Sequence, residues 1–206
     1  MLHAHHVLGA PILSFLTSTK NIAPQLFQED RIKIPKIKRG TYTAQQHTAQ
    51  FASMLLPKDA DLYVLHLHEN SVFVRPVVDP SRLFLLQARW SSILSLFPTN
   101  STLYCLVYVN KAKQLVMGIF DIMLESGVQI RDHILVRHAR VWALTHGKPM
   151  PDDIYLHWLG HEDACIKTLM THKDNLPFQA NRIIRLEADV YTYVIPPIVT
   201  KLACQS

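Results

Sequence analysis

The sequence predicts an α+β fold in a single domain, with antiparallel sheets flanked by helices. Three observations predict it: two β-hairpin patterns, an amphipathic helical stripe between them, and a further strand pattern near the end of the chain. The 206 residues are 49% hydrophobic and 18% charged. This composition is typical of a globular chain, and the length is sufficient to bury a sizeable core.

The strongest pattern covers residues 102–130. Two apolar, β-rich runs at 102–109 and 114–123 are joined by a polar turn, which is typical of a β-hairpin. Both runs are too continuously apolar for one face to be exposed, so we expect both faces to be covered. Asp121 is the single carboxylate near the end of the second run.

Two further regions show strand patterns. The first is a hairpin over residues 62–75, in which His66 and His68 lie on one face of the leading strand. Such a pair can bind a metal, but the sequence offers no obvious third ligand, so a polar face of a half-exposed strand is the favoured interpretation. No metal site is therefore predicted. The second region covers 182–195, shortly before two prolines.

Helices are predicted where apolar residues recur at spacings of three and four. The clearest is 82–97, with Trp90 in the core, and a less regular one covers 41–56 and stops at Pro57. A third helical region opens at 151 with acidic residues, and its main helix is expected at 162–172.

The remaining helix, 131–145, is expected to place one set of side chains inward and its arginines outward. The inward set is Ile134, Leu135, His138, Val141 and Trp142, and the outward set is Arg131, Arg137 and Arg140.

The N-terminal part has a different character from the rest. Residues 1–28 are weakly patterned, and we expect a short helix or irregular packing there. Basic and apolar residues alternate over 31–39 around Pro35, which indicates an edge strand or a linker because proline cannot donate to a sheet. The predicted organisation is an N-terminal segment with a basic linker, 1–40, followed by a globular domain, 41–206.

Charge and cysteine content restrict the class of protein. The net charge of +5 suits a polyanionic partner such as RNA without requiring one. Three scattered cysteines, without a CxxC pair, argue against a disulfide framework and favour a cytoplasmic or nuclear location. No apolar run has the roughly 18 residues that cross a bilayer, so no membrane partner is predicted.

Motifs for common chemistries are missing from the sequence. It contains no GxxxxGK[ST] loop, no GxGxxG, no GxSxG and no HExxH. We therefore predict no catalytic residues, no cofactor and no enzymatic activity.

The order of several short segments resembles the mRNA capping enzyme and polynucleotide ligase superfamily of covalent nucleotidyltransferases. Lys58-Asp-Ala-Asp61 stands where that superfamily has its KxDG nucleophile motif, and Phe120-Asp-Ile-Met123 resembles a later strand. Asp174-Asn-Leu-Pro-Phe178 and Tyr193-Val-Ile-Pro-Pro197 stand where DGLIF-like and KWKPP segments are found. The expected acidic strand falls on Tyr104-Cys-Leu106, so the resemblance implies the fold without the chemistry. It also implies that Asp121 is a structural residue that closes the hairpin, because its segment is structural in much of the superfamily.

Within that superfamily the chain is most similar to the snurportin cap-binding domain, which keeps the fold and binds the trimethylguanosine cap of RNA. Arg89-Trp-Ser-Ser-Ile-Leu94 and the 102–123 hairpin resemble segments of that family, and Thr192–Pro196 aligns with its base-stacking segment. The resemblance implies that Tyr193 stacks on a base, with Lys58 and Arg75 as basic ligand-binding residues.

Two functions follow as expectations. The first is a non-catalytic protein that binds capped RNA or a nucleotide. The alternative is a protein–protein interaction subunit without ligand chemistry, and a protein partner is expected in either case. Cap binding requires Tyr193 to face an open cleft lined by Lys or Arg, whereas an interaction subunit should expose a large apolar patch.

Overall fold

A computed structural model describes residues 16–18, 36–41, 52–86, 88–187 and 190–195. These residues form two β-sheets with helices packed against them, which confirms the predicted α+β class. The strands are β1 (Leu16–Ser18), β2 (Lys36–Thr41), β3 (Ala52–Pro57), β4 (Asp61–His68), β5 (Ser71–Pro76), β6 (Phe84–Leu86), β7 (Ser101–Val109), β8 (Leu115–Glu125), β9 (Val128–Gln129), β10 (Ile154–Leu156), β11 (Ala180–Leu186) and β12 (Val190–Ile195). The α-helices are α1 (Ile93–Leu96), α2 (Ile134–Thr145) and α3 (Glu162–Thr171), and 3-10 turns cover Ala88–Trp90 and Lys173–Asn175.

The larger sheet has the strand order β1-β6-β5-β4-β7-β8-β10, and the short β9 pairs with the end of β8. All its pairs are antiparallel except β10 with β8. The smaller sheet has the order β2-β12-β11-β3, with β2 parallel to β12 and the other pairs antiparallel. Among the described residues, β10 is therefore an edge strand of the larger sheet.

The predicted central hairpin is confirmed as β7 and β8, and both of its faces are covered. Tyr104, Leu106 and Tyr108 join a core that also contains residues of the smaller sheet and of α3. Leu103 and Cys105, on the opposite face of β7, join a second core that includes α1 and part of α2. The continuous apolar run of β7 is explained by this burial on two sides.

The hairpin at 62–75 is also confirmed, as β4 and β5. The strand pattern at 182–195 corresponds to the antiparallel pair β11 and β12. The segment around Pro35 was expected to be an edge strand or a linker, and its described part, β2, is an edge strand that pairs with β12. Residues 31–35 lie outside the described residues.

Two predicted helices are wrong. In the 41–56 region, residues 52–57 form strand β3, in which all six residues are buried, while 42–51 lie outside the described residues. In the 82–97 region, β6 pairs with β5 and β1, a 3-10 turn holds Trp90 in the core, and only Ile93–Leu96 is α-helical. Pairing with neighbouring strands overrides the helical periodicity of both segments.

The third predicted helical region needs a similar correction. Its start at 151 leads into strand β10, and the helix begins only at Glu162. The main helix expected at 162–172 is confirmed as α3. Of the weakly patterned residues 1–28, the described part, Leu16–Ser18, is a strand rather than a helix, and the rest lies outside the described residues.

Helix α2 agrees with the prediction in position but not in every orientation. Val141 and His138 face inward as expected. Arg137, expected outside, is buried, and Trp142, expected inside, is 48% exposed. Both corrections matter for the site described below.

Candidate functional site

Tyr193, the expected base-stacking residue, is partly buried and packs against the core between the two sheets. Burial is the main cause that raises the pKa of Tyr193 to about 12, and the nearby Asp61 adds to the rise. Burial, followed by Asp59, also raises the pKa of Asp61 to about 7. Tyr193 therefore stands beside a carboxyl group that is protonated more readily than usual.

The two expected basic residues lie on different elements: Lys58 in the turn that joins β3 of the smaller sheet to β4 of the larger one, and Arg75 on β5 of the larger sheet. Lys58 is exposed in the turn before β4, where its N–H donates to the Gln179 carbonyl over 2.7 Å. Arg75 is half-buried on β5 and helps burial to lower the pKa of His66, on the adjacent strand β4, to about 3. Lys58 is close in sequence to Asp61, the carboxyl group that acts on Tyr193, whereas Arg75 acts on His66. The ligand-binding role of these residues with Tyr193 stays a prediction.

A buried ion pair lies at the centre of the molecule. Arg137 Nε and Nη2 each donate to a carboxylate oxygen of Asp121 over 2.9 Å, and Arg137 Nη1 donates to the Asp132 carbonyl. Asp121 also accepts the N–H of Ile122 over 2.8 Å. Burial raises the pKa of Asp121, and the hydrogen bonds from Arg137 oppose that rise. Asp121 is thus a structural residue, as expected, but its partner is an arginine that the sequence pattern placed outside.

His138 connects this buried region to the surface. Its Nδ1 donates to the Phe120 carbonyl over 2.8 Å, at a point where β8 has neither β9 nor β10 beside it. Its Nε2 accepts the indole N–H of Trp142 over 3.0 Å and the N–H of Leu159 over 3.3 Å. Because both ring nitrogens are engaged in this way, His138 is held neutral, in agreement with a pKa that burial lowers.

Residues 157–160 form a bridge between the two sheets. The N–H of His157 donates to the Ile119 carbonyl in the larger sheet, and its Nε2 donates to the Leu55 carbonyl in the smaller sheet, both over 2.8 Å. Gly160 and Ser53 exchange two backbone hydrogen bonds of 2.8 and 2.9 Å. We call this segment the sheet bridge. Burial lowers the pKa of His157 to about 4, so this anchor is neutral at pH 7.

Trp158 is the exposed side chain of the sheet bridge. It is 48% exposed, although His157, Leu159 and Gly160 on either side are buried. A Cβ at Gly160 would collide with the outer end of the Trp158 ring, so this glycine allows the indole to pack close to the backbone. The indole therefore has a packing contact on the sheet bridge while much of its surface faces solvent.

A cavity of about 390 Å³ lies beside Trp158. Aromatic and apolar side chains form most of its wall, and none of the described residues that line it is a lysine, arginine, aspartate or glutamate. The Tyr155 hydroxyl is buried and has no hydrogen-bond partner among the described residues. The lining consists of Leu55, Tyr155, Leu156, His157, Trp158, Thr168, Leu176, Pro177 and Phe178.

A second cavity of about 370 Å³ shares two of these residues, Tyr155 and Leu156 of β10. Its other walls are Trp142, Thr145, His146 and Met150. Trp142 and Met150 are 48% and 36% exposed. We call the combined area the β10 surface, defined by Trp142, Met150, Tyr155, Leu156 and Trp158.

Within the ranges that the structure describes, no three His, Cys, Asp or Glu side chains are grouped as metal ligands would be. Cys105 and Cys165 are free thiols in the interior, and burial raises the pKa of each. No described helix is both long and apolar enough to cross a membrane.

Comparison with known proteins assigns no family. Neither a protein-family model nor a curated protein matches the chain. The resemblance to nucleotidyltransferases and to the snurportin cap-binding domain therefore stays a prediction.

The β10 surface was not predicted from the sequence. Trp142 was expected inside and residues 154–158 were expected in a helical region, so Trp158 was not identified as an exposed residue. A usable signal was present: Tyr155-Leu-His-Trp158 is a short apolar and aromatic run that ends at Gly160, which is compatible with a strand.

Proposed function

We propose that this protein is a non-catalytic protein–protein interaction subunit that binds its partner through the β10 surface. One observation carries the proposal: Trp158 is half exposed on a segment whose other residues are anchored to both sheets. Energetically dominant residues of interfaces are often tryptophans, and a rigid side chain loses little conformational entropy on binding.

The exposed apolar area is large enough to matter for affinity. A partner that covers the exposed half of Trp142 or Trp158 removes roughly 100 Å² of each ring from water. At about 25 cal/mol per Å², each ring then contributes about 2–3 kcal/mol. An interaction subunit was expected to expose a patch of this kind.

The lining of the larger cavity favours an apolar side chain over a nucleotide. Phosphate groups require arginine, lysine or backbone N–H donors, and no arginine or lysine is found among the described residues that line this cavity. A planar base could still stack on Trp158, which keeps nucleotide binding as a second candidate.

A random 12-residue peptide library displayed on phage tests the proposal with the full chain as bait. We expect selected peptides to be rich in apolar residues and Trp158→Ala to weaken their binding at least tenfold. Val128→Ala is the matched control, because Val128 is 68% exposed but lies on β9. Selection of no peptides, or equal binding to wild type and Trp158→Ala, would contradict the proposal.

Fluorescence titration with trimethylguanosine and 7-methylguanosine cap analogues, and with GTP, tests the second candidate. We expect none of them to quench the tryptophan fluorescence. Quenching that survives in Trp158→Ala but disappears in Tyr193→Ala would overturn the proposal in favour of the base-stacking site predicted at Tyr193.

A further inference from the structure

We infer that the partner binds as an added β-strand along the outer edge of β10, an inference that rests on the interaction role proposed above. Three features carry it: the backbone groups at this edge, the positions of the two cavities on either side of it, and the absence of charge on the strand.

The outer edge of β10 presents backbone groups that β8 does not use. In a parallel pair, alternate residues of a strand bond to a given neighbour. The Asp153 carbonyl accepts from Met117 and the His157 N–H donates to Ile119, so the bonds to β8 come from the odd-numbered residues. The N–H and carbonyl of Leu156 consequently point away from β8, toward the side on which no described strand lies.

The two cavities lie on opposite faces of this edge. Tyr155 packs against the core between the sheets, whereas Leu156 packs against the core on the other face of the larger sheet. The cavity beside Trp158 includes Phe178 of the first core, and the cavity beside Trp142 lies next to α2. Successive side chains of an added strand point to opposite faces, so they would enter the two cavities in turn.

Edge strands that must stay unpaired are usually protected by charged side chains or proline. β10 consists of Ile154, Tyr155 and Leu156, none of which is charged. Nothing in the side chains of the strand itself opposes pairing.

These features specify the occupant: an extended segment of another protein with a run of about three or four apolar residues. The run is continuous rather than alternating, because both of its faces are covered. Lys111 adds a charge preference. Its ammonium donates to the Asp174 carbonyl over 2.8 Å, and its N–H donates to the carbonyl of Pro177 in the cavity wall. An acidic residue next to the apolar run suits this position and the net charge of +5.

Backbone N-methylation of the tightest-binding library peptide tests strand addition. Methylation removes an N–H but leaves every side chain in place. We expect affinity to fall at least tenfold at alternate positions of the apolar run and to change little at the positions between them. Uniform tolerance of N-methylation would overturn the inference.

A pair of protein variants tests the same bond from the other side. Leu156→Pro and Leu156→Ala both shorten the side chain, but only proline removes the outward N–H. We expect Leu156→Pro to bind the peptide at least fivefold more weakly than Leu156→Ala, and equal affinities would contradict strand addition. The N-methyl series remains decisive if the proline variant does not fold.

The results separate this inference from the function on which it rests. Peptide binding that depends on Trp158 but tolerates every N-methyl group would retain the interaction role and reject the added strand. Loss of both dependences would reject both. Replacing acidic residues that flank the apolar run by lysine is expected to weaken binding, and unchanged binding would reject the charge preference at Lys111.

Discussion

Two regions of helix α2, around Arg137 and around Trp142, differ in how fully the rest of the chain buries them and satisfies their polar groups. Arg137 is a charged residue inside the molecule, and it has a carboxylate and a carbonyl as partners within the chain. Trp142, five residues later, is an aromatic residue at the surface, and its indole N–H donates to His138 Nε2. The fold satisfies the buried polar group but leaves the indole face in water.

We interpret Arg137 as a residue that stabilises the fold and Trp142, on the same helix, as a residue that contacts a partner. A buried charge without a partner would cost several kcal/mol, so the Asp121–Arg137 pair is explained by folding alone. Exposed Trp142 and Trp158 gain little for the fold, and their exposure is explained if another molecule covers them. The predictions below test whether the two regions differ in this way.

The largest effect is expected from removing one member of the buried pair. Arg137→Leu leaves the Asp121 carboxylate buried without its cation and should reduce the free energy of unfolding by about 3–5 kcal/mol. Urea denaturation followed by circular dichroism measures this value. The double variant Asp121→Val, Arg137→Leu should recover much of the loss, because no unpaired charge remains.

Arg140→Leu is the matched control for that experiment. Arg140, which lies on the same helix as Arg137, makes a bidentate ion pair with Glu125 of β8, but the Arg140 side chain is exposed. We expect a much smaller loss than for Arg137→Leu, because solvent screens an exposed ion pair. Equal losses for Arg137→Leu and Arg140→Leu would contradict the expectation that burial makes the Asp121–Arg137 pair contribute more to the free energy of unfolding.

An intermediate effect is expected from acid at the sheet bridge. Burial is the main cause that lowers the pKa of His157 to about 4, from about 6.5 in the unfolded chain. Between these values the unfolded chain binds a proton that the folded chain does not. Stability is therefore full above about pH 6.5 and falls as the pH drops toward 4, by on the order of 3 kcal/mol.

The variant His157→Gln separates this residue from other groups. His66, with a pKa of about 3, changes stability in the same direction, and Asp61, with a pKa of about 7, changes it in the opposite direction. The difference in free energy of unfolding between wild type and His157→Gln, measured from pH 7 to pH 4.5, should shrink toward acid. A constant difference would mean that His157 titrates normally.

The smallest effect on stability is expected from a pair of buried glycines. In Gly118→Ala the new Cβ would lie 3.1 Å from the Tyr155 hydroxyl and from His157 Cβ, so we expect a loss of about 1–3 kcal/mol. In Gly160→Ala the new Cβ meets only the Trp158 ring, which can move into solvent. This variant should lose less than about 1 kcal/mol but bind the library peptide at least fivefold more weakly. Thermal unfolding and peptide titration measure the two quantities, and wild-type affinity in Gly160→Ala would contradict the need for a fixed Trp158.

The hairpins could be predicted because their signals are local. Residues 102–123 combine continuous β-rich runs with a polar turn, and the burial of β7 on both faces requires that composition. Helix α2 has a periodic stripe, but the stripe does not reveal that β8 supplies a carboxylate opposite Arg137. That contact joins residues 16 positions apart and depends on how the helix packs across the sheet edge.

The two helices were predicted wrongly for the opposite reason: their structure depends on contacts with segments that are distant in the sequence. Leu83, Leu86 and Trp90 recur at helical spacing, but residues 84–86 gain backbone hydrogen bonds to β5 and β1 in the folded chain. Residues 52–57 form a strand because β11 and the sheet bridge lie beside them. In both segments long-range pairing outweighs local preference, which a single sequence cannot reveal.

The sequence by itself determined the α+β class, the two hairpins and the position of α2, because composition and short-range periodicity encode them. Only the tertiary structure decided that Arg137 is inside, that Trp142 and Trp158 are outside, and that β10 is an edge strand between two cavities. Those properties depend on which elements lie beside each other. The β10 surface exists because the sheet bridge connects β8 of the larger sheet to β3 of the smaller one, and these two strands are distant in the chain.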